Sequence, residues 1–229
     1  MEQFDTLEQE LGIKFKNQDL LKQSMVHRSY LNEHPGFGLP HNERLEFLGD
    51  AVIELVVTEH LYLTYPNPEG DLTNWRASLV NARMLSSIAS EIGLDRYLFL
   101  SRGESKDATG KARQYILANA IEALIGAMYL DQGWGPTQQF IARTVLPKLG
   151  PILEQHLYLD PKSRFQEKSQ ELFGATPAYK VLSEEGPDHS KDFTIGVYIG
   201  DEQVAIGYGT SKQEAQMAAA EAALKAKSW

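Results

Sequence analysis

At 229 residues, with 42% hydrophobic and 10% aromatic content, the chain is long enough for one large domain or two small ones and apolar enough to pack an ordinary globular core. Its apolar stretches are broken by charge well short of the roughly 20 residues a membrane span needs, and the opening MEQFDTLEQE is acidic with no signal-peptide core, so no membrane association is expected. The absence of cysteine excludes a disulfide framework and a thiolate metal site and fits an expected cytoplasmic setting, while a formal net charge of −9 excludes a surface that is cationic throughout.

From Asp160 onward the sequence holds 11 acidic and 8 basic residues, a net of −3, so −6 of the total −9 lies before it and neither part is basic. Acidity does not rule out nucleic-acid chemistry. An enzyme built on bound divalent cations needs a cluster of carboxylates, and each ion offsets two of their charges.

In chain order, the first part shows helical periodicity and no convincing alternation, which predicts an all-helical domain. Helices are predicted at about Leu7–Leu11 and Asn17–Ser29. The Pro- and Gly-punctuated loop EHPGFGLPHN then leads to a long helix from about Asn42 to Tyr65, with Asn42 as its N-cap and Pro66 as its stop. Further helices fit Leu72–Ile92, Ala112–Leu130 and Pro136–Leu157, the middle one ending at the turn signal Asp131-Gln132-Gly133. A linker is expected at about Leu157–Lys162.

Beyond it the texture changes. A helix at Ser163–Phe173 precedes an extended stretch at Tyr179–Ser183; Phe193, Ile195, Val197 and Ile199 alternate as a half-buried strand requires, and a third strand fits Val204–Tyr208. A last helix from Ser211 to about Lys227 carries Ala215, Ala219, Ala222 and Ala226 at helical spacing, small enough to let it lie close on a sheet. The order α-β-β-β-α gives an α+β domain after an all-α one.

The run Asn42-Glu43-Arg44-Leu45-Glu46-Phe47-Leu48-Gly49-Asp50 carries the chemistry. On a helix Glu43, Glu46 and Asp50 fall at i, i+3 and i+7 and share a face. By spacing alone that is an ordinary solvated face. Leu45, Phe47, Leu48, Val52, Ile53, Leu55 and Val56, however, cover most of the circumference, so this helix is expected to be buried on nearly all sides, where a carboxylate costs several kcal/mol unless a positive group compensates it. Only Arg44 is at hand. A second apolar helix supplies Asn119 and Glu122 at i and i+3. Oxygen donors without nearby Cys or His select magnesium or manganese over zinc or copper, and phosphate chemistry is the natural use of such a site. The chain has no Glu-x-x-His and no His-Glu-x-x-His, which argues against a di-iron bundle and a zinc protease.

NERLEFLGDAV resembles the signature of the ribonuclease III family, and ILANAIEALIGAMYLD its second catalytic helix, in the same order and separation; LGIKFKNQDLLKQSMVHRSYLNE and PNPEGDLTNWRASLVN resemble the neighbouring family segments. The resemblance implies a divalent-metal-dependent endoribonuclease of double-stranded RNA, acting in rRNA and mRNA processing. Glu46, Asp50, Asn119 and Glu122 would hold Mg2+ or, as a substitute, Mn2+; Asp50 and Glu122 would be most directly needed for hydrolysis, with Glu43 and Glu69 as auxiliary acids. It further implies a metal-activated water, 5′-phosphate and 3′-hydroxyl products, no covalent intermediate, and a homodimer with Phe47 at its interface. Asn119 stands where the family leads one to expect aspartate, so the site brings one negative charge fewer.

The distal α-β-β-β-α order, with DPKSRFQEKSQ, GPDHSKDF and GYGTSKQEAQMAAAEAAL, resembles the double-stranded-RNA-binding domain. That likeness implies minor-groove contacts from Gln166, Glu167 and His189 and phosphate contact from Lys212 at a helix amino end. Gln213 and Gln216 stand where the family commonly has further basic residues; Gln216 is kept among the expected RNA contacts, with a weaker phosphate clamp as the consequence. The expected division is a catalytic domain at 1–157, a linker at 158–162 and an RNA-binding domain at 163–229. Two other readings compete: a binding protein that lost cleavage through Asn119, and an unrelated helical phosphohydrolase of small substrates.

Overall fold

The computed structural model describes residues 2–106, 110–155, 158, 160–187 and 191–229, which divide into two units, 1–155 and 156–229. The first unit is helical: α1 (Glu2–Leu11), α2 (Gln18–Ser24), α3 (Arg28–Glu33), α4 (Glu43–Thr64), α5 (Glu69–Leu79), α6 (Ala82–Glu91), α7 (Arg102–Lys106), α8 (Lys111–Gln132), α9 (Trp134–Thr144) and α10 (Leu149–Glu154), with 3-10 turns at Leu94–Tyr97 and Leu146–Lys148.

Its centre is α8. From Ile116 to Met128 nearly every residue is buried, so this helix is apolar around most of its girth and is wrapped by α2, α4, α6 and α9. The closest approach is to α4. A Cβ placed on Gly49 would collide with the carbonyl of Glu122 and the amide nitrogen of Gly126, and one on Gly126 would collide with the carbonyl of Leu45. Backbone therefore meets backbone at this crossing, because neither helix carries a side chain there.

Three predicted helices are subdivided. The Asn17–Ser29 pattern is two helices, since Val26 instead pairs with Phe99: the amide of His27 donates to Phe99 O (3.1 Å) and that of Phe99 to Met25 O (2.9 Å). Asn17 caps α2 and the His27 ring caps α3, each side chain accepting from a backbone amide two residues on. The Leu72–Ile92 pattern breaks at Val80-Asn81, where the Asn81 side chain caps α6 by accepting from Met84 N, and its first half begins earlier, at Glu69. The Pro136–Leu157 pattern is interrupted around Pro147, which has no amide proton to continue a helix.

The bounds of α4 match expectation to within a residue, but its start is made differently. Asn42 has helical backbone angles and makes no side-chain cap; it is buried, its Nδ2 donating to Ser24 O (3.1 Å) and its amide to Val26 O (2.9 Å). Asn42 is thus a tether to the α2–α3 segment. Nor is α4 buried all round within one chain: Leu45, Gly49, Val52, Ile53, Val56, Val57 and Leu61 are covered, whereas Phe47 (80%), Leu55 (56%) and Tyr62 (76%) stay exposed. One face packs inward and a second apolar face remains open.

In the second unit Asp160 caps α11 (Pro161–Phe173) by accepting from the amides of Lys162 and Ser163, so this helix starts two residues before Ser163; Gly174 ends it at φ +65°. Strands β1 (Ala178–Glu185), β2 (Asp192–Ile199) and β3 (Glu202–Gly209) form an antiparallel sheet in sequence order, and α12 (Lys212–Lys227) follows. Phe165, Val197, Ala219, Ala220, Ala223 and Leu224 form the core. A Cβ on Gly207 would strike the backbone of α12 at Ala215 and Ala219, which shows how closely helix and sheet meet. The buried alanine stripe runs through Ala215, Ala219, Ala220 and Ala223; the predicted Ala222 is only partly covered and Ala226 is exposed. Among the described residues no helix is long and apolar enough to cross a membrane.

Replacing glycine by alanine inside a helix ordinarily gains about 1 kcal/mol. At Gly49 the collision reverses that sign: Gly49→Ala should lower stability by roughly 1–3 kcal/mol. Denaturant melts check this, and a neutral or stabilised variant would contradict the close crossing.

Candidate active site

The α4–α8 crossing positions the acids. Asp50 follows Gly49 directly, Glu46 lies one turn before it, and Glu122 is the residue whose carbonyl Gly49 touches. The two helices therefore bring Glu46, Asp50 and Glu122 within electrostatic reach of one another. Glu122 is half-buried, and burial first, then the charges of Asp50 and Glu46, push its pKa up to about 8. Glu46 is also raised, by burial and then by Glu43 and Asp50. Asp50 itself is exposed, and Asn119 is half-buried one turn before Glu122 on α8.

Compensating cations stop short of this group. Arg28 lies 3.4 Å and His41 3.7 Å from the Glu43 carboxylate at the exposed start of α4. Among the described residues, Glu46, Asp50, Asn119 and Glu122 receive no side-chain hydrogen bond and no ion pair, and Arg44 joins none of them. Nor, among the described residues, does any group of three His, Cys, Asp or Glu side chains stand as a finished metal cage. The donors suit a hard divalent cation in kind, being carboxylates and an amide oxygen, and in charge, being negative and uncompensated; as placed they are not gathered around one point.

Two other predicted residues lie apart. Glu69 opens α5, accepts from Thr73 Oγ1 (3.0 Å), and lines a cavity of about 620 Å³ with Thr58, Tyr62 and Tyr65 from the far end of α4. Thr58 is eight residues beyond Asp50, about 12 Å along the helix, so within one chain Glu69 does not join the other acids. Phe47 is on the open apolar face, in register with Ala51, Leu55 and Tyr62. Sequence reasoning did not single out Tyr115, an exposed aromatic (59%) that precedes Asn119 and Glu122 by four and seven residues on their own helix face.

In the second unit Gln166 and Glu167 are exposed on α11. His189 lies outside the described residues. Lys212 is the first residue of α12, where Ser211 accepts from Glu214 N, and its Nζ is 3.7 Å from the Glu184 carboxylate. Gln216 is held by α11, accepting from Lys162 Nζ at 2.7 Å. Glu184 and Lys162 were also missed, because each meets its partner only through the fold.

Comparison with known proteins agrees with this arrangement. Residues 17–149 match the family model for Ribonuclease-III-like domains, and residues 161–227 match the double-stranded RNA binding motif. Ribonuclease 3 of Carboxydothermus hydrogenoformans is 46% identical over 96% of this chain and 94% of its own length; that of Borreliella burgdorferi is 44% identical over 94% and 88%. A solved nuclease domain of ribonuclease III from Campylobacter jejuni, reported with structural flexibility in a region involved in dimer formation, superposes with a TM-score of 0.55 at 36% identity, over 64% of this chain and 97% of its own.

A helical nuclease unit joined to a unit that binds double-stranded RNA defines a metal-dependent endoribonuclease. The chain belongs to the ribonuclease III family.

The raised pKa of Glu122 has a thermodynamic consequence in protein stripped of divalent metal. Between its ordinary 4.5 and about 8 the folded form binds more protons than the unfolded form, so this residue makes stability fall as pH rises through that window. Glu122→Gln should flatten that dependence in urea melts; an unchanged profile would show that Glu122 is not desolvated.

Proposed function

We propose that this enzyme hydrolyses phosphodiester bonds of double-stranded RNA to 5′-phosphate and 3′-hydroxyl ends, in rRNA and mRNA processing, without a covalent intermediate. The observation that carries the reading is that Glu122 on α8, already half-buried, is pushed up further by the charges of Asp50 and Glu46 across the crossing, with no cation paired to these acids among the described residues. Such a group favours either a bound proton or a bound metal ion.

In this reading Glu46, Asp50, Asn119 and Glu122 hold Mg2+, with Mn2+ as a substitute. When bound, the ion supplies an activated water for in-line attack on phosphorus and charge stabilisation at the leaving 3′ oxygen. Asp50 and Glu122 act most directly. Asp50, being exposed, is free to turn toward an incoming ion, while Glu122 is fixed by its half-buried place on α8. Asn119 offers an amide oxygen and no charge, which lowers the repulsion among the donors and also their pull on the metal. Glu43 and Glu69 serve as auxiliary acids near the RNA strand; Glu43, held near Arg28 and His41, is already partly neutralised.

The catalytic domain is assigned to residues 1–157 and the RNA-binding domain to 163–229, with 158–162 between them. Gln166, Glu167 and His189 would enter the minor grooves, and Lys212 and Gln216 would face the phosphates. The open face of α4 supports a homodimer, since Phe47, Ala51, Leu55 and Tyr62 are otherwise left to water. A cytoplasmic location belongs to the same proposal and is consistent with a chain that has no cysteine.

The deciding experiment is a divalent-metal titration of cleavage on a defined RNA hairpin, with end-group analysis of the products. Cleavage should vanish in chelator and return with magnesium. Glu122→Gln should retain duplex RNA and lose cleavage by about a hundredfold or more, because charge is removed at constant side-chain size. Wild-type turnover in that variant would sink the assignment.

Phe47→Asp should leave each chain folded, since the side chain is exposed, and convert dimer to monomer in light scattering, whereas Phe47→Leu should remain dimeric. A dimeric Phe47→Asp protein would move the interface elsewhere.

A further inference from the structure

Three charged groups from separate elements meet at the amino end of α12. Glu184 sits on β1 opposite Phe193 of β2. Its Oε1 accepts from Lys191 Nζ at 2.8 Å, just before β2, and its Oε2 is 3.7 Å from Lys212 Nζ. The Lys212 ammonium also lies over the Phe193 ring, 5.5 Å from its centroid, which limits where that side chain can go. Two ammonium groups thus converge on one carboxylate.

An RNA phosphate presents the same charge and the same kind of acceptor oxygen that Glu184 presents to these lysines. We propose that Glu184 is a resident competitor for RNA phosphate: it holds Lys191 and Lys212 together in the free protein and must give them up when the duplex binds, so that it tunes affinity downward. This rests on the reading of Lys212 as a phosphate contact.

The surroundings support it. Lys191 chiefly, and then Lys212, hold the Glu184 carboxyl below its ordinary range, so it carries its charge throughout neutral pH. All three side chains are partly open to water, at 36% for Glu184, 33% for Lys191 and 58% for Lys212, so the pairs are weak enough for a phosphate to displace. The other carboxylate of the first turn, Glu214, is turned to Thr210, accepting from its amide (2.9 Å) and hydroxyl (2.7 Å). Gln213 and Gln216 bring no charge, and Gln216 is occupied by Lys162. Among the described residues few cations stand at this end of the helix, so a carboxylate that pairs with two of them weighs heavily.

The test uses the whole chain in chelator, so that RNA is bound but not cut, and measures the dissociation constant for a defined duplex as a function of KCl. Glu184→Gln should bind roughly 1.5-fold to fivefold more tightly at low salt, with a salt slope steeper by up to about one unit, because one fewer negative charge opposes the phosphates. In a Lys212→Gln background the gain should shrink. If Lys212→Gln weakens binding while Glu184→Gln binds no better than wild type, the competitor role is wrong and Lys212 keeps its place. If Lys212→Gln leaves both affinity and slope unchanged, the phosphate contact itself is wrong, and the proposal goes with it.

Discussion

Where α4 crosses α8 there is no side chain between the two backbones, and the placement of the acids in the catalytic unit follows from that contact. Gly49 and Gly126 let the helices touch at the carbonyls of Glu122 and Leu45. Asp50 is the next residue after one of those glycines, and Glu122 is one turn before the other. A larger residue at either position would separate the helices and with them the carboxylates. The close crossing thus holds like charges together, a cost that the packing of α4 and α8 offsets; it pushes the Glu122 carboxyl toward its protonated form unless a cation arrives.

The acids on α4 and α8 were legible in the sequence because helical spacing alone fixes which residues share a face. The bounds of α4 were legible for the same reason. What could not be read were features decided by partners distant in sequence. Val26 belongs to no helix because Phe99 pairs with it; Asn42 is a tether because Ser24 and Val26 accept and receive its hydrogen bonds. Asn81 carried a local signal, a capping residue in mid-pattern, and the helical periodicity on both sides masked it. The apolar circumference of α4 implied burial on all sides, yet one chain supplies cover for only one face. Glu69 looked like a companion of the other acids by sequence resemblance, and the length of α4 keeps it from them within a single chain.

Charge divides the labour between the two units. Neither part of the chain has a cationic excess, so affinity for RNA cannot draw on a general cationic field. In that setting, neighbours of a single lysine matter more than net charge. Gln216 binds Lys162 rather than standing free, and Glu184 is shared between Lys191 and Lys212. The same economy of charge is visible at the catalytic end, where Asn119 replaces an expected carboxylate by an amide.

The open apolar face and the acidic face of α4 are adjacent, because Phe47 follows Glu46 and Ala51 follows Asp50, one residue step around the helix in each case. Covering the Phe47 face in the proposed dimer would exclude water from the flank of the acidic face. A carboxylate with less water around it binds a proton or a divalent ion more strongly, since the alternative is an uncompensated charge in a medium of lower dielectric. Assembly and metal binding are then linked through one helix: association strengthens the hold on the ion, and by reciprocity the bound ion strengthens association. Had the acids stood on the opposite side of α4 from Phe47, no such coupling would follow from the fold.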